Sequence, residues 1–115
     1  MYDRVVEVGV GHEPSVAAGL ARAGVTVTAT DIYPHEVPPA VTFVVDDITT
    51  PRRSVYAGAA AIYGLNLPPE LHRPALELAD DIDADLLFTT LGGDPPAVPV
   101  TAETLPVETL YVANR

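Results

Sequence analysis

The stretch VVEVGVGHEP, residues 5–14, passes from a valine-rich run through two glycines to a proline. The apolar run reads as a β-strand over 4–8. Pro14 suits the first turn of a helix, because its fixed φ is helical and its missing N–H would have no partner there. Gly9 and Gly11 lie between the two elements. Glycine there permits a tight turn and the close approach of a ligand. The helix start behind the turn offers N–H groups and the positive end of a dipole. A strand that enters a helix through such a turn opens a parallel α/β sheet.

The rest of the chain extends the same alternation. Val16, Leu20 and Ala23 recur at helical spacing, and Gly24 reads as the stop. VTVTATD, 25–31, reads as a second strand. VTFVVDD, 41–47, reads as a third, apolar enough for a sheet covered on both faces. ITTPRRSVY holds one short helix or none. AAAIYGL, 59–65, is the fourth strand, and ADLLFTTL, 84–91, the fifth. Between them, Pro74 is expected to start the main helix, whose stripe is Ala75, Leu78, Ala79 and Ile82. VETLYVA, 107–113, is the last strand. The fold class expected is a three-layer, Rossmann-like open sheet, mostly parallel, in one domain over 1–115. The chain is short for the full version, so an incomplete fold with some loop crossovers is expected.

Composition narrows the function classes. Sixteen acidic residues stand against six basic ones, a formal net charge of −10, and every basic residue is arginine. Such a field disfavours non-specific nucleic-acid binding and contact with anionic membranes. It resembles the composition of proteins from salt-loving archaea. No apolar run approaches the roughly 18 residues of a membrane span, so no membrane association is expected. There is no cysteine, which excludes disulfides and thiolate chemistry and fits a cytoplasmic protein. Of the twelve prolines, nine cluster at 34–39, 68–74 and 95–99, between periodic segments, and read as loop punctuation.

Polar groups gather at successive strand ends. Glu7 precedes the glycine turn. Asp31 closes the second strand 20 residues after Gly11, the spacing at which a carboxylate accepts from ribose hydroxyls. Asp46 and Asp47 close the third strand. Two nucleotide ligands compete for such a site. A dinucleotide calls for a third glycine where this chain has Pro14, and its pyrophosphate is repelled by Glu7 and Glu13. S-adenosylmethionine has no phosphate, and its amino and sulfonium groups are cationic, so Glu7 favours it.

This arrangement resembles the S-adenosylmethionine-dependent methyltransferases. Their first motif is an acid with glycines two and four places on, matched by Glu7, Gly9 and Gly11. The resemblance implies that Asp31 holds the ribose and that Asp46 or Asp47 lies near the adenine amino group. The segments VVEVGVG, VTATDI, FVVDDIT, IYGLNLPPEL and ADLLFTTLGGD resemble more closely the archaeal uncharacterised protein family UPF0146. That likeness covers almost the whole chain and implies a Rossmann-like fold without naming an activity.

Catalytic groups are sparser. Amine-methylating relatives of the fold use Asp or Asn followed by two prolines and an aromatic residue. Here Asn66 is followed by Leu67, Pro68, Pro69 and Glu70, which adds a leucine and lacks the aromatic ring. Asn66 is thus the candidate catalytic residue, with a turn or cap as its alternative role. His12 and His35 lie in loops beside the expected pocket, as bases near neutral pH or as ordinary polar residues. Thr89, Thr90 and the GGD that follows line the pocket or form a tight turn. His72, Glu70 and Asp94 form no metal-ligand spacing, and no metal site is expected. Asp80, Asp81, Asp83 and Asp85 read as a solvated helix end. Arg52 and Arg53 are expected to pair with surface carboxylates rather than with RNA phosphate. The substrate stays open among small molecule, RNA and protein. The competing class is a non-enzymatic module that keeps the fold for regulation or partner binding.

Overall fold

The computed structural model describes residues 2–11, 13–92, 94–105 and 109–113. The elements are β1 (Arg4–Val8), α1 (Ser15–Arg22), β2 (Thr26–Asp31), β3 (Thr42–Val45), α2 (Arg53–Tyr56), β4 (Ala61–Gly64), α3 (Pro69–Ile82), β5 (Asp85–Phe88), β6 (Val100–Thr104) and β7 (Thr109–Ala113). They build one seven-stranded sheet in the order β3-β2-β1-β4-β5-β7-β6. The strands β1 to β5 pair in parallel, while β7 runs antiparallel to β5 and β6.

Strand alternation divides the core into two layers. Val5, Val27 and Ala61 pack with Ala17 of α1 on one face. Val6, Ile62, Leu86 and Phe88 pack with Tyr56 of α2 and with Ala75, Leu78 and Ala79 of α3 on the other. The expected three layers are therefore present. No helix joins β2 to β3 in the described chain, so that crossover is a loop. The strand β3 is also an edge strand with partly exposed residues, not the strand covered on both faces that its apolar composition suggests.

Two further expectations are corrected. The main helix begins at Pro69, not Pro74, which lies inside it. Pro69 takes the first helical position and Glu70 supplies an acid to the first turn, both favourable. The fully buried His72 then pins this turn: its Nε2–H donates to the Leu67 carbonyl at 2.8 Å, and its Nδ1 accepts from the Ala97 N–H at 3.0 Å. The omitted strand is β6, which pairs with β7 in a hairpin. Its residues are mostly exposed, so it carries no apolar pattern to read. Positions 107 and 108 of the expected last strand lie outside the described residues.

Candidate functional site

The strand order reverses direction between β1 and β4, which is where open α/β sheets leave a crevice beyond the carboxyl ends of their strands. A cleft of about 360 Å³ opens there. Glu7, Gly9, Gly11 and Glu13 line it from the β1 side, and Leu65, Asn66 and Thr89 from the β4 and β5 ends. Of the acids and glycines read from the sequence, it thus brings together Glu7, Gly9 and Gly11, with Asn66 and Thr89 opposite.

Both turn glycines have left-handed φ, +71° at Gly9 and +58° at Gly11, and a side chain added at either would meet open space. The turn needs glycine for its backbone, and the space beside it is left to the cleft. The N–H groups of Gly9 and Val10 both donate to the Thr30 carbonyl, at 2.9 and 3.0 Å. Gly11 N–H donates to Asp31 Oδ2 at 2.9 Å. Glu13 N–H donates to the Val10 carbonyl, and Ser15 N–H to the Glu13 carboxylate. The described donors of this turn are thus already engaged, and one acceptor is a carboxylate. A pyrophosphate needs those donors free.

Glu7 is 1% exposed, although it lines the cleft. Register sets it beside Tyr63 of β4 on the face that α1 covers. Tyr63 donates its hydroxyl to Glu7 Oε1 at 2.6 Å. The other oxygen, Oε2, has no hydrogen-bond partner among the described residues. Burial pushes the Glu7 carboxyl above its usual range, and the Tyr63 bond offsets part of that rise. Burial and the neighbouring carboxylate together hold the Tyr63 hydroxyl far above its ordinary value.

Asp31 stands behind the glycine turn. Its Oδ1 accepts from Tyr33 N–H at 3.1 Å and lies 3.5 Å from His35 Nε2. With Gly11 on Oδ2, both oxygens are held, yet a carboxylate has about four acceptor positions and retains capacity for hydroxyls. His35 therefore sits at Asp31 rather than in the cleft. His12 lies outside the described residues, as does Gly93 of the GGD run.

The third-strand acids stand apart from the cleft. Asp46 is buried and turned toward α2, accepting from the Tyr56 hydroxyl at 2.7 Å and from the N–H and Nε of Arg52 at 3.2 Å each. Asp47 is exposed and accepts from the N–H and hydroxyl of Thr49, which hold its carboxyl below the usual range. Arg53 pairs with Asp81 at 2.9 Å, so both arginines of the pair meet carboxylates. Asn66 is exposed at the cleft rim with φ +51°, and its N–H donates to Thr89 Oγ1 at 2.8 Å.

Tyr63 is the residue that sequence reasoning missed. Its one signal is the alternation Ala61, Tyr63, Leu65, and that points to Glu7 only after the β1–β4 register is known. Its ring also lines a neighbouring apolar groove of about 490 Å³, with Val5, Leu20, Ala61, Leu87 and Leu110.

The strand order and the cleft at its reversal define a small Rossmann-like domain of the methyltransferase type. The chain belongs to the Uncharacterised protein family (UPF0146), whose family model matches residues 1–113. A UPF0146 protein of Halobacterium salinarum is 50% identical over 98% of this chain and 88% of its own. Among solved structures, a TehB-like SAM-dependent methyltransferase from Corynebacterium glutamicum is similar at TM-score 0.67 and 16% identity, over 96% of this chain and 78% of its own. MoeE5, in complex with UDP-glucuronic acid and NAD, is similar at TM-score 0.60 and 12% identity, over 70% of this chain and 34% of its own. These likenesses share a fold across two ligand classes, so the choice of ligand rests on the site.

Proposed function

We propose that this protein binds S-adenosylmethionine in the cleft between β1 and β4, and that it acts as a methyltransferase on a substrate still to be identified. One observation carries the reading: the described donors of the glycine turn are engaged by the chain itself, while carboxylates line the cleft. This set suits a ligand without phosphate and with cationic groups. Gly9 and Gly11 admit the methionine end, Glu7 faces its cationic groups, and Asp31 accepts from the ribose hydroxyls. Ile32 and Tyr33, 56% and 67% exposed just past Asp31, offer apolar surface for the base, with Asp47 on the next strand end. The bound ligand supplies an electrophilic methyl group. Asn66, at the opposite rim, is positioned to orient an acceptor.

The test is calorimetry in high salt. S-adenosylmethionine is expected to bind at micromolar strength, and Asp31→Ala to weaken it by more than about tenfold. No heat at millimolar ligand with folded protein overturns the reading.

A second reading is a binding module without transfer. Leu67, the leucine that interrupts the Asn-Pro-Pro pattern, is buried in the core, so Asn66 reaches the cleft from a tight left-handed turn. Transfer of labelled methyl from S-adenosylmethionine to a fraction of cell extract excludes this module; ligand binding without any transfer supports it.

A further inference from the structure

We infer that Tyr63 is the specificity-determining residue of this cleft: it holds Glu7 as a one-sided acceptor, and so makes the cleft discriminate among ligands by their positive charge. The inference takes its ligands from the S-adenosylmethionine reading, but the Tyr63–Glu7 pair stands on its own geometry.

The pair sits at the boundary between two environments. The Tyr63 ring belongs to the apolar groove, and Glu7 belongs to the polar cleft. The 2.6 Å bond between them is the link across that boundary. Tyr2, which also lines the groove, has its hydroxyl tied to Asp85 at 2.8 Å, so it does not compete for Glu7. A hydrogen bond walled by apolar side chains is stronger than one in water. It fixes the χ angles of Glu7, leaving Oε2 as the group a ligand meets. The described groups around Glu7 supply no countercharge. Glu13 faces it from the turn before α1, Thr89 lines the cleft from the end of β5, and the Thr30 hydroxyl of β2 donates to the Glu7 carbonyl. Among the described cleft residues there is no lysine, arginine or histidine. A buried carboxylate without a cation is costly, and a cationic ligand relieves that cost. Among the described residues, Tyr63 is the side chain whose hydrogen bond stabilises the ionised form of Glu7 before the ligand arrives.

The test is Tyr63→Phe, which keeps the ring and removes the hydroxyl. Three ligands form a ladder of positive charge: S-adenosylmethionine with sulfonium and ammonium, S-adenosylhomocysteine with ammonium alone, and methylthioadenosine with neither. In the wild type each step up the ladder is expected to tighten binding. Tyr63→Phe is expected to compress the span from top to bottom by about fivefold or more, mostly at the cationic end. Leu87→Ala, on the groove wall, is the structural control and should leave the span intact. A span unchanged in Tyr63→Phe overturns the inference. The second measurement is the carbon-13 titration of the Glu7 carboxyl, which needs no ligand. Its midpoint should move upward in Tyr63→Phe, and an unmoved midpoint overturns the inference. If the wild type binds none of the three ligands, the S-adenosylmethionine reading falls, and Tyr63 is judged by the titration alone.

Discussion

Two buried carboxylates at nearby strand ends are partnered in opposite ways. Asp46, past the end of β3, is 8% exposed and has both oxygens engaged, by Arg52 on one side and the buried Tyr56 hydroxyl on the other. Glu7, on β1, is 1% exposed and holds one neutral donor, with Oε2 unpartnered among the described residues. Asp46 sits against its own arginine, while Glu7 lines a cleft with no described cation. A buried acid with a complete partner set ties elements together. A buried acid with an incomplete set, facing a cleft, awaits something else.

The largest expected difference between the two acids is in stability. Asp46→Ala removes the acceptor of a fully buried tyrosine hydroxyl and of an arginine, and is expected to cost about 3 kcal/mol in denaturant unfolding. It should leave the cleft's ligand affinity nearly unchanged in whatever fraction stays folded. A loss of binding as large as that of stability would erase the distinction between the two acids.

Glu7→Gln should do the reverse. An amide has no charge to desolvate, so thermal stability at pH 7 is expected to rise, while affinity for S-adenosylmethionine falls by more than about tenfold. The pH dependence follows from the raised Glu7 carboxyl. A carboxyl whose folded-state value lies above its unfolded value takes up a proton on folding. Its stability contribution is fully present below the unfolded value of 4.5 and is lost as pH rises through the raised folded value. The stability gap between Glu7→Gln and the wild type should therefore close as pH falls through that window. Cationic-ligand affinity should rise with pH across the same window. Melting curves at a series of pH values check the first, and calorimetry the second.

Local features of this site could be read from the chain, and tertiary ones could not. The glycine turn and Asp31 were legible because strand, turn, helix and strand follow one another within 4–31, and both prove to be joined by the Gly11–Asp31 bond. Asp46 and Asp47 were legible as strand-end acids. Their separation into a structural acid and an exposed turn acid depends on Tyr56, Arg52 and Thr49 coming together after folding. Tyr63 was invisible because a register between β1 and β4 leaves no mark in either strand. The helix start at Pro69 was obscured by Pro74, whose awkward position is tolerated because the His72 contacts secure the first turn.

Smaller effects sharpen the picture at the rim and on the surface. Asn66→Ala places an ordinary side chain at φ +51° and is expected to cost about 1 kcal/mol, whereas Asn66→Gly should be near neutral for stability. If Asn66 orients a methyl acceptor, both variants lose transfer activity alike, and the stability difference separates the two roles. The net charge of −10 predicts a salt response. The thermal midpoint should rise by more than about 3 °C between about 0.1 M and about 2 M potassium chloride, as repulsion among exposed acids is screened. A midpoint within that margin would show that the charges are spaced widely enough to be indifferent to salt.

The central claim is that a carboxylate-lined cleft with a self-satisfied glycine turn takes a cationic, phosphate-free nucleoside. Parallel calorimetric titration of wild type and Glu7→Gln with S-adenosylmethionine and with NAD, in high salt, tests it most directly. The account predicts micromolar binding of S-adenosylmethionine, at least about tenfold weaker binding of NAD, and a preference that shrinks in Glu7→Gln. Tighter binding of NAD, or a preference unaffected by the loss of Glu7, would contradict it.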